Sequence, residues 1–113
     1  MTKIFISHPF AGAESINCLE AGFITESIIA LGYLPINPLA LFGNGGYVDA
    51  IHRDSIMEVC RTLIDISDEV WAFGKSPGCA IEIKYATDNR IPVRFFDSVY
   101  DVDCMNKEDL TCK

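Results

Sequence analysis

Residues 67–86, Ser67-Asp-Glu-Val-Trp-Ala-Phe-Gly-Lys-Ser-Pro-Gly-Cys-Ala-Ile-Glu-Ile-Lys-Tyr-Ala86, restrict the fold more than any other stretch. Positions 69–73 are mostly apolar, β-branched or aromatic, as in a parallel strand covered on both faces. Gly74 interrupts that run, Ser76 is a good helix cap, and Pro77 suits a first helical turn because no N–H is needed there. Gly78 permits close approach to the backbone. The stretch therefore predicts a strand, a tight turn and a helix whose N–H groups and dipole favour an anion at the carboxyl edge of a sheet. Glu82 follows one turn into that helix.

The rest of the chain repeats the alternation. Residues 3–7 read as a first strand, and His8 and Pro9 open a turn-rich loop. Residues 15–31 read as a helix whose Ile16, Leu19, Phe23, Ile24, Ile28 and Leu31 keep helical spacing and are expected to face the sheet, with Gly32 as its stop. Residues 33–36 form a second strand. Asn37-Pro38 begins a Gly-rich connection, and a second helix is expected over residues 48–64, with Ile56, Val59, Cys60, Leu63 and Ile64 inward and Arg53 and Arg61 as solvated charges. After the organising strand and helix, residues 91–96 make a fourth strand. The fold class is α/β: a three-layer, flavodoxin/Rossmann-like sandwich of four to five parallel strands in the order 2-1-3-4, with helices on both faces. Residues 1–96 are read as one domain. Residues 97–113 are read as an acidic C-terminal tail that either docks as an extra turn or stays loose.

In such a sheet, ligands bind beyond the carboxyl ends of the strands. Ser7, Asn37 and the turn from Gly74 to Cys79 map to that edge and converge on one cleft. Asp68 is either an anchor of the sheet edge or a substrate contact.

Half of the 113 residues are hydrophobic, so the chain can bury a core. The net charge of −7 argues against a general nucleic-acid or anionic-membrane surface, though not against a small phosphorylated ligand. No run is apolar enough to span a membrane, and the N-terminus lacks the pattern of a signal peptide. Cys18, Cys60, Cys79, Cys104 and Cys112 have no metal-ligand spacing. Free thiols, a cytoplasmic location and no metal or other cofactor are expected.

Three groups of residues carry a resemblance: Ile4-Phe-Ile-Ser-His-Pro-Phe-Ala-Gly12, Gly32-Tyr-Leu-Pro-Ile-Asn-Pro38, and residues 67–82 with Ile91-Pro-Val93. Over about residues 3–96 the chain resembles the nucleoside 2-deoxyribosyltransferase-like superfamily, and most of all its small bacterial and phage members of the DUF4406 and DUF7768 type. The resemblance implies that Glu82 is a nucleophile toward the anomeric carbon of a sugar, and that Ser7 and Ser76 bind a 5′-phosphate. It also implies a homodimer or larger homo-oligomer whose subunits close each other's sites. Where the hydrolases of that superfamily carry a sugar-binding Asp, this chain has Cys60.

The residues themselves suggest compatible chemistry. A carboxylate in a partly dry site attacks a sugar carbon through an oxocarbenium-like transition state. His8 is the candidate proton donor to a departing base. Ser7, Pro9, Asn37, Asp68, Ser76, Gly78 and Cys79 are the candidate substrate contacts. The expected function is an N-glycosidase or (deoxy)ribosyltransferase acting on a nucleoside or nucleotide. The alternative is a module that binds or sequesters a nucleotide without cleaving it. Ile81 and Tyr85, with Trp71 and Phe73, are expected to form an apolar subunit contact.

Overall fold

The computed structural model describes residues 1–42 and 53–102. Four strands form one parallel sheet: β1 (Lys3–Ser7), β2 (Leu34–Ile36), β3 (Glu69–Ala72) and β4 (Val93–Phe95), in the order β2-β1-β3-β4. The expected topology is the observed one. Ile4 pairs with Glu69 and Ser7 with Ala72, so β1 and β3 end together at the carboxyl edge.

Alternation along the central strands assigns every side chain to a face. Ile4, Ile6 and Trp71 point to one side, where they meet Ile24, Ile28 and Leu31 of helix α1 (Glu14–Ala30) and its C-cap. Phe5 and Val70 point to the other, where they meet Ile56, Cys60 and Ile64 of the third helix and Ala86 of the fourth. Between α1 and those helices lies one short turn of helix, α2 (Leu39–Phe42), which sequence reading left inside a loop. The other two are α3 (Arg53–Asp65) and α4 (Pro77–Asp88). The expected start of α3 at residue 48 lies outside the described residues.

Helix α1 buries Ala21, Ile24, Ser27 and Ile28, but leaves Ile16 and Leu19 exposed. The reason is phase: Ala21, Ile24, Ser27 and Ile28, continued by the half-buried Asn17 and Glu20, define the inward face, and at 3.6 residues per turn Leu19 falls nearly opposite it and Ile16 to one side. The first turns of α1 pack through Asn17 and Glu20, which bond the loop after β1, and Ile16 and Leu19 lie off that face. Gly32, at φ 88°, then reverses the chain into β2.

Beyond β4, residues Val99–Asp101 form a 3₁₀ turn capped by Ser98, whose side chain accepts from the Tyr100 N–H while Asp101 accepts from the Ser98 N–H. Val99 and Val102 are buried in the α1-side core, so this part of the tail docks as an extra turn. Of the residues expected to form a subunit contact, Trp71 is fully buried and Phe73 packs on the same core. Tyr85 is partly buried and donates to Asp65 at 2.6 Å. Ile81 alone of the four is exposed. Trp71 leaves that surface because strand alternation turns its ring toward α1. Among the described residues no helix is long and apolar enough to cross a membrane.

Candidate functional site

The site begins with the turn between β3 and α4. Ser76 is the N-cap of α4, its side chain accepting from the Cys79 N–H at 3.2 Å, and Pro77 fills the first helical position. Cys79, Glu82 and Ala86 follow at spacings of three and four, so they share one helical face. Cys79 and Ala86 are buried, and that face carries Glu82 toward β1.

There it meets Ser7. This serine points to the same side of the sheet as Phe5 and is fully buried. Its hydroxyl donates to Glu82 Oε1 at 2.7 Å. The Cys60 thiol hydrogen-bonds to the same carboxyl group from α3, and the Arg53 charge acts on it from the start of that helix. Burial pushes the Glu82 carboxyl up from 4.5 to about 7; the Ser7 and Cys60 hydrogen bonds and Arg53 offset only part of that rise. A carboxyl group poised near neutrality suits both nucleophilic and acid–base work.

Glu82 opens onto a cavity of about 230 Å³. Its polar wall is Arg53, Cys60, Ser76, Cys79 and Glu82, with His8 at the mouth of the first loop. Its apolar wall is Phe10, Pro38, Leu39, Ile56 and Met57. A lining that combines polar and apolar groups fits a small ligand with a charged or hydroxylated part and an apolar part. The Arg53 guanidinium lies 3.9 Å from where a side chain at Gly78 would begin, within van der Waals reach of the α4 tip. Among the described residues, no group of three or more His, Cys, Asp and Glu side chains is arranged to hold a metal ion.

The sequence-derived candidates divide clearly. Ser7, Ser76, Gly78, Cys79, Glu82 and His8 lie at the site. His8 is buried and tied down: Nε2 meets Glu20 Oε1 at 3.0 Å and Nδ1 meets the Pro9 carbonyl at 2.8 Å. Both partners are acceptors, so only a doubly protonated ring donates to both.

Three candidates are placed elsewhere. Asn37 caps α2, its side-chain oxygen accepting from the Leu39 N–H at 3.1 Å while its amide donates to Thr25 at 3.2 Å; its neighbours Pro38 and Leu39 line the cavity instead. Pro9 packs against Gly74, where an added Cβ would overlap the proline ring. Asp68 precedes β3, at the amino edge of the sheet, and binds the Lys3 N–H at 2.7 Å. It is a strand-edge anchor, because the cleft lies at the opposite ends of the strands.

A family profile described as a domain of unknown function, DUF7768, matches residues 2–96. The chain belongs to the DUF7768 family. No curated protein and no solved structure matches it. The matched part of the DUF7768 chain carries every described residue of the cavity wall. Val99 and Val102, which complete the core, follow it.

Sequence reading of this DUF7768 member missed Arg53, Phe10, Pro38, Leu39, Ile56 and Met57 as cavity residues. For Arg53 a signal existed. It precedes Ile56 by three positions and Cys60 by seven, which puts it on the inward face of α3. A charge at the first turn of a helix reads as solvated unless that phase is followed outward. Phe10, Pro38 and Leu39 sit in loops or in a one-turn helix, where no periodicity marks an inward side.

Proposed function

We propose that this protein binds a nucleoside or nucleotide and acts at its N-glycosidic bond, with Glu82 as the nucleophile. The observation that carries the reading is a carboxyl group poised near pH 7, hydrogen-bonded to a buried serine and opening onto a cavity of mixed polarity. The resemblance of residues 3–96 to nucleoside 2-deoxyribosyltransferase-like proteins supports the same chemistry.

In this reading the ionised Glu82 oxygen attacks the anomeric carbon. A C–O ester bond forms as the bond from that carbon to the base nitrogen breaks. The electron pair leaves with the base, which takes a proton from His8 or from water. Water then attacks the anomeric carbon and loses a proton as the bond from that carbon to the Glu82 oxygen breaks, which regenerates the carboxylate; in a transferase the nitrogen of a second base attacks the same carbon. The amide groups and Ser76 at the tip of α4 hold a phosphate or hydroxyl, with Arg53 beside them. The bulk of the base lies against Phe10, Pro38 and Leu39.

A second reading is binding without turnover. The observation favouring it is His8, whose two ring nitrogens are already engaged by Glu20 and Pro9 and which must break a contact to donate.

One experiment separates the two. Wild type and Glu82→Gln are incubated with a panel of nucleosides and nucleotides, and released base is followed by chromatography. Release by wild type alone supports the enzyme. Tight binding by both proteins without release supports the binding module. No release and no binding with any member overturns both.

A further inference from the structure

We propose that Cys60 is a positioning residue for Glu82, forming with Ser7 a two-donor clamp that holds the carboxylate toward the cavity. The role in catalysis rests on the reading of Glu82 given above; the clamp itself is a property of the fold.

The two donors arrive from different layers. Ser7 lies at the end of β1, fully buried, and donates from beneath at 2.7 Å. Cys60 comes from α3, where Ile56, Cys60 and Ile64 recur every fourth position as the buried stripe. Cys60 also forms part of the cavity wall, and the residue is only 3% exposed, so bulk water has little access to take over as donor. A glutamate side chain has three rotatable bonds, and a single hydrogen bond leaves much of that freedom. Two donors on separate elements define one orientation, and orientation of a reacting group governs rate steeply.

The chemical type matters as well. A thiol is a weak donor without charge at neutral pH. A second carboxylate at this position would face Glu82 and disfavour its ionised form. The other groups facing Glu82 are Arg53 on α3, Ser76 and Cys79 on α4, and His8 beyond β1. The fold thus supplies one carboxylate with two uncharged donors and a nearby cation.

The clamp lowers the pH at which Glu82 ionises, so its loss is visible directly. The experiment is a carboxyl-carbon NMR titration of Glu82 in the full chain labelled with ¹³C-glutamate, with Glu82→Gln to assign the signal. Wild type, Cys60→Ala and Cys60→Ser are compared, and the pH profile of base release is measured alongside. Cys60→Ala moves the Glu82 titration to higher pH, whereas Cys60→Ser, which keeps a donor, stays at or below the wild-type position. Base release by Cys60→Ala falls about three- to tenfold near pH 6 and recovers only in part at high pH, where Glu82 is ionised but still less firmly oriented, with the loss in kcat and little change in KM. A Cys60→Ala titration that superimposes on wild type overturns the proposal, as does an equal upward shift in both variants. If wild type releases no base but the titrations separate as stated, the clamp stands and the enzymatic reading falls.

Discussion

On the α1 side of the sheet, Ile4, Ile6 and Trp71 meet Ile24, Ile28, Val99 and Val102 in an apolar core. On the α3/α4 side, the same strands offer Phe5 and Val70 to Ile56, Ile64 and Ala86, but at the carboxyl end Ser7, Cys60 and Glu82 take the places of apolar residues. Both sides are set by the same alternation in β1, where neighbouring residues point to opposite faces. Moving from Ile6 to Ser7 moves from core to site. The difference shows where a polar cluster was built at a cost in stability. Burying a carboxyl group is unfavourable, and Glu82 rises to about 7 because its donors offset only part of that cost.

The sharpest way to test this contrast is Glu82→Gln. Base release falls by about a thousandfold, the loss typical of a removed reacting group. Stability moves the opposite way. The folded-state pKa of Glu82, about 7, lies above its ordinary 4.5. Between those values the folded chain holds more protons than the unfolded one, so stability declines as pH rises through that window and levels off above it. This contribution is up to about 3 kcal/mol. Glu82→Gln removes it, so denaturant titration at pH 8 finds the variant more stable than wild type, with the gain shrinking toward pH 4.5. Unchanged stability at both pH values would mean that Glu82 is solvated and the two faces are alike. For activity the sign is also fixed. A nucleophilic Glu82 works only when ionised, so base release rises through about pH 7. A profile that falls there assigns it the part of a proton donor.

Trp71→Ala probes the other face. The ring is fully buried and lies 5.1 Å, centroid to centroid, from Phe96. Its loss costs about 3–5 kcal/mol. Because Trp71 points away from α3 and α4, ligand affinity per folded molecule stays at the wild-type value. Urea unfolding and a binding assay on the same sample check both halves of that statement.

How far these two faces were legible in the sequence follows from how local each signal is. Ser76, Pro77 and Glu82 were readable because caps, first-turn prolines and helix phase act within one or two turns. The strand order was readable because short alternating segments with right-handed crossovers leave few arrangements. Asn37 follows β2 at the carboxyl edge as expected, but its side chain is engaged by Leu39 and Thr25, and an Asn-Pro pair serves a local turn as readily as a ligand contact. For Asp68 the strand direction favours the anchor over the substrate contact, since a residue preceding a parallel strand cannot reach its carboxyl edge. Docking of Val99 and Val102 left no periodic trace, since a single 3₁₀ turn is too short to show one. The exposure of Ile16 and Leu19 follows from which of two apolar faces of α1 turns inward, a choice that apolar residues on both faces leave open.

Gly74→Ala tests whether the site depends on the seam between the two first loops. The added methyl would overlap Cγ and Cδ of Pro9, and a proline ring cannot swing aside. The chain ends of β1 and β3 must therefore part, although Phe73 N–H donates to the Ser7 carbonyl at 2.9 Å beside that seam. The expected destabilisation is about 1–3 kcal/mol. His8 and Ser7 move with the loop, so ligand affinity falls too, in contrast to Trp71→Ala. Calorimetric melting together with ligand titration distinguishes this from an unaffected site.

The smallest effect expected lies far from the cavity, at the other end of α4. Arg90 follows the helix at φ 61°, a left-handed conformation that suits glycine and strains most side chains. The turn it makes is needed: the Arg90 N–H donates to the Thr87 carbonyl and the Ile91 N–H to the Ala86 carbonyl, which closes the helix and sends the chain toward β4. Arg90 is exposed, so its replacement removes little packing. Arg90→Gly relieves the strain but adds freedom to the unfolded chain, and the two oppose each other. The net is a gain of about 0.5–1 kcal/mol, visible as a modest rise in Tm with no change in the pH dependence of stability. That last condition ties it to the contrast between the faces, because only changes around Glu82 should alter how stability responds to pH. A shifted pH dependence in Arg90→Gly would mean that the turn after α4 and the carboxyl group near its start are coupled along the helix.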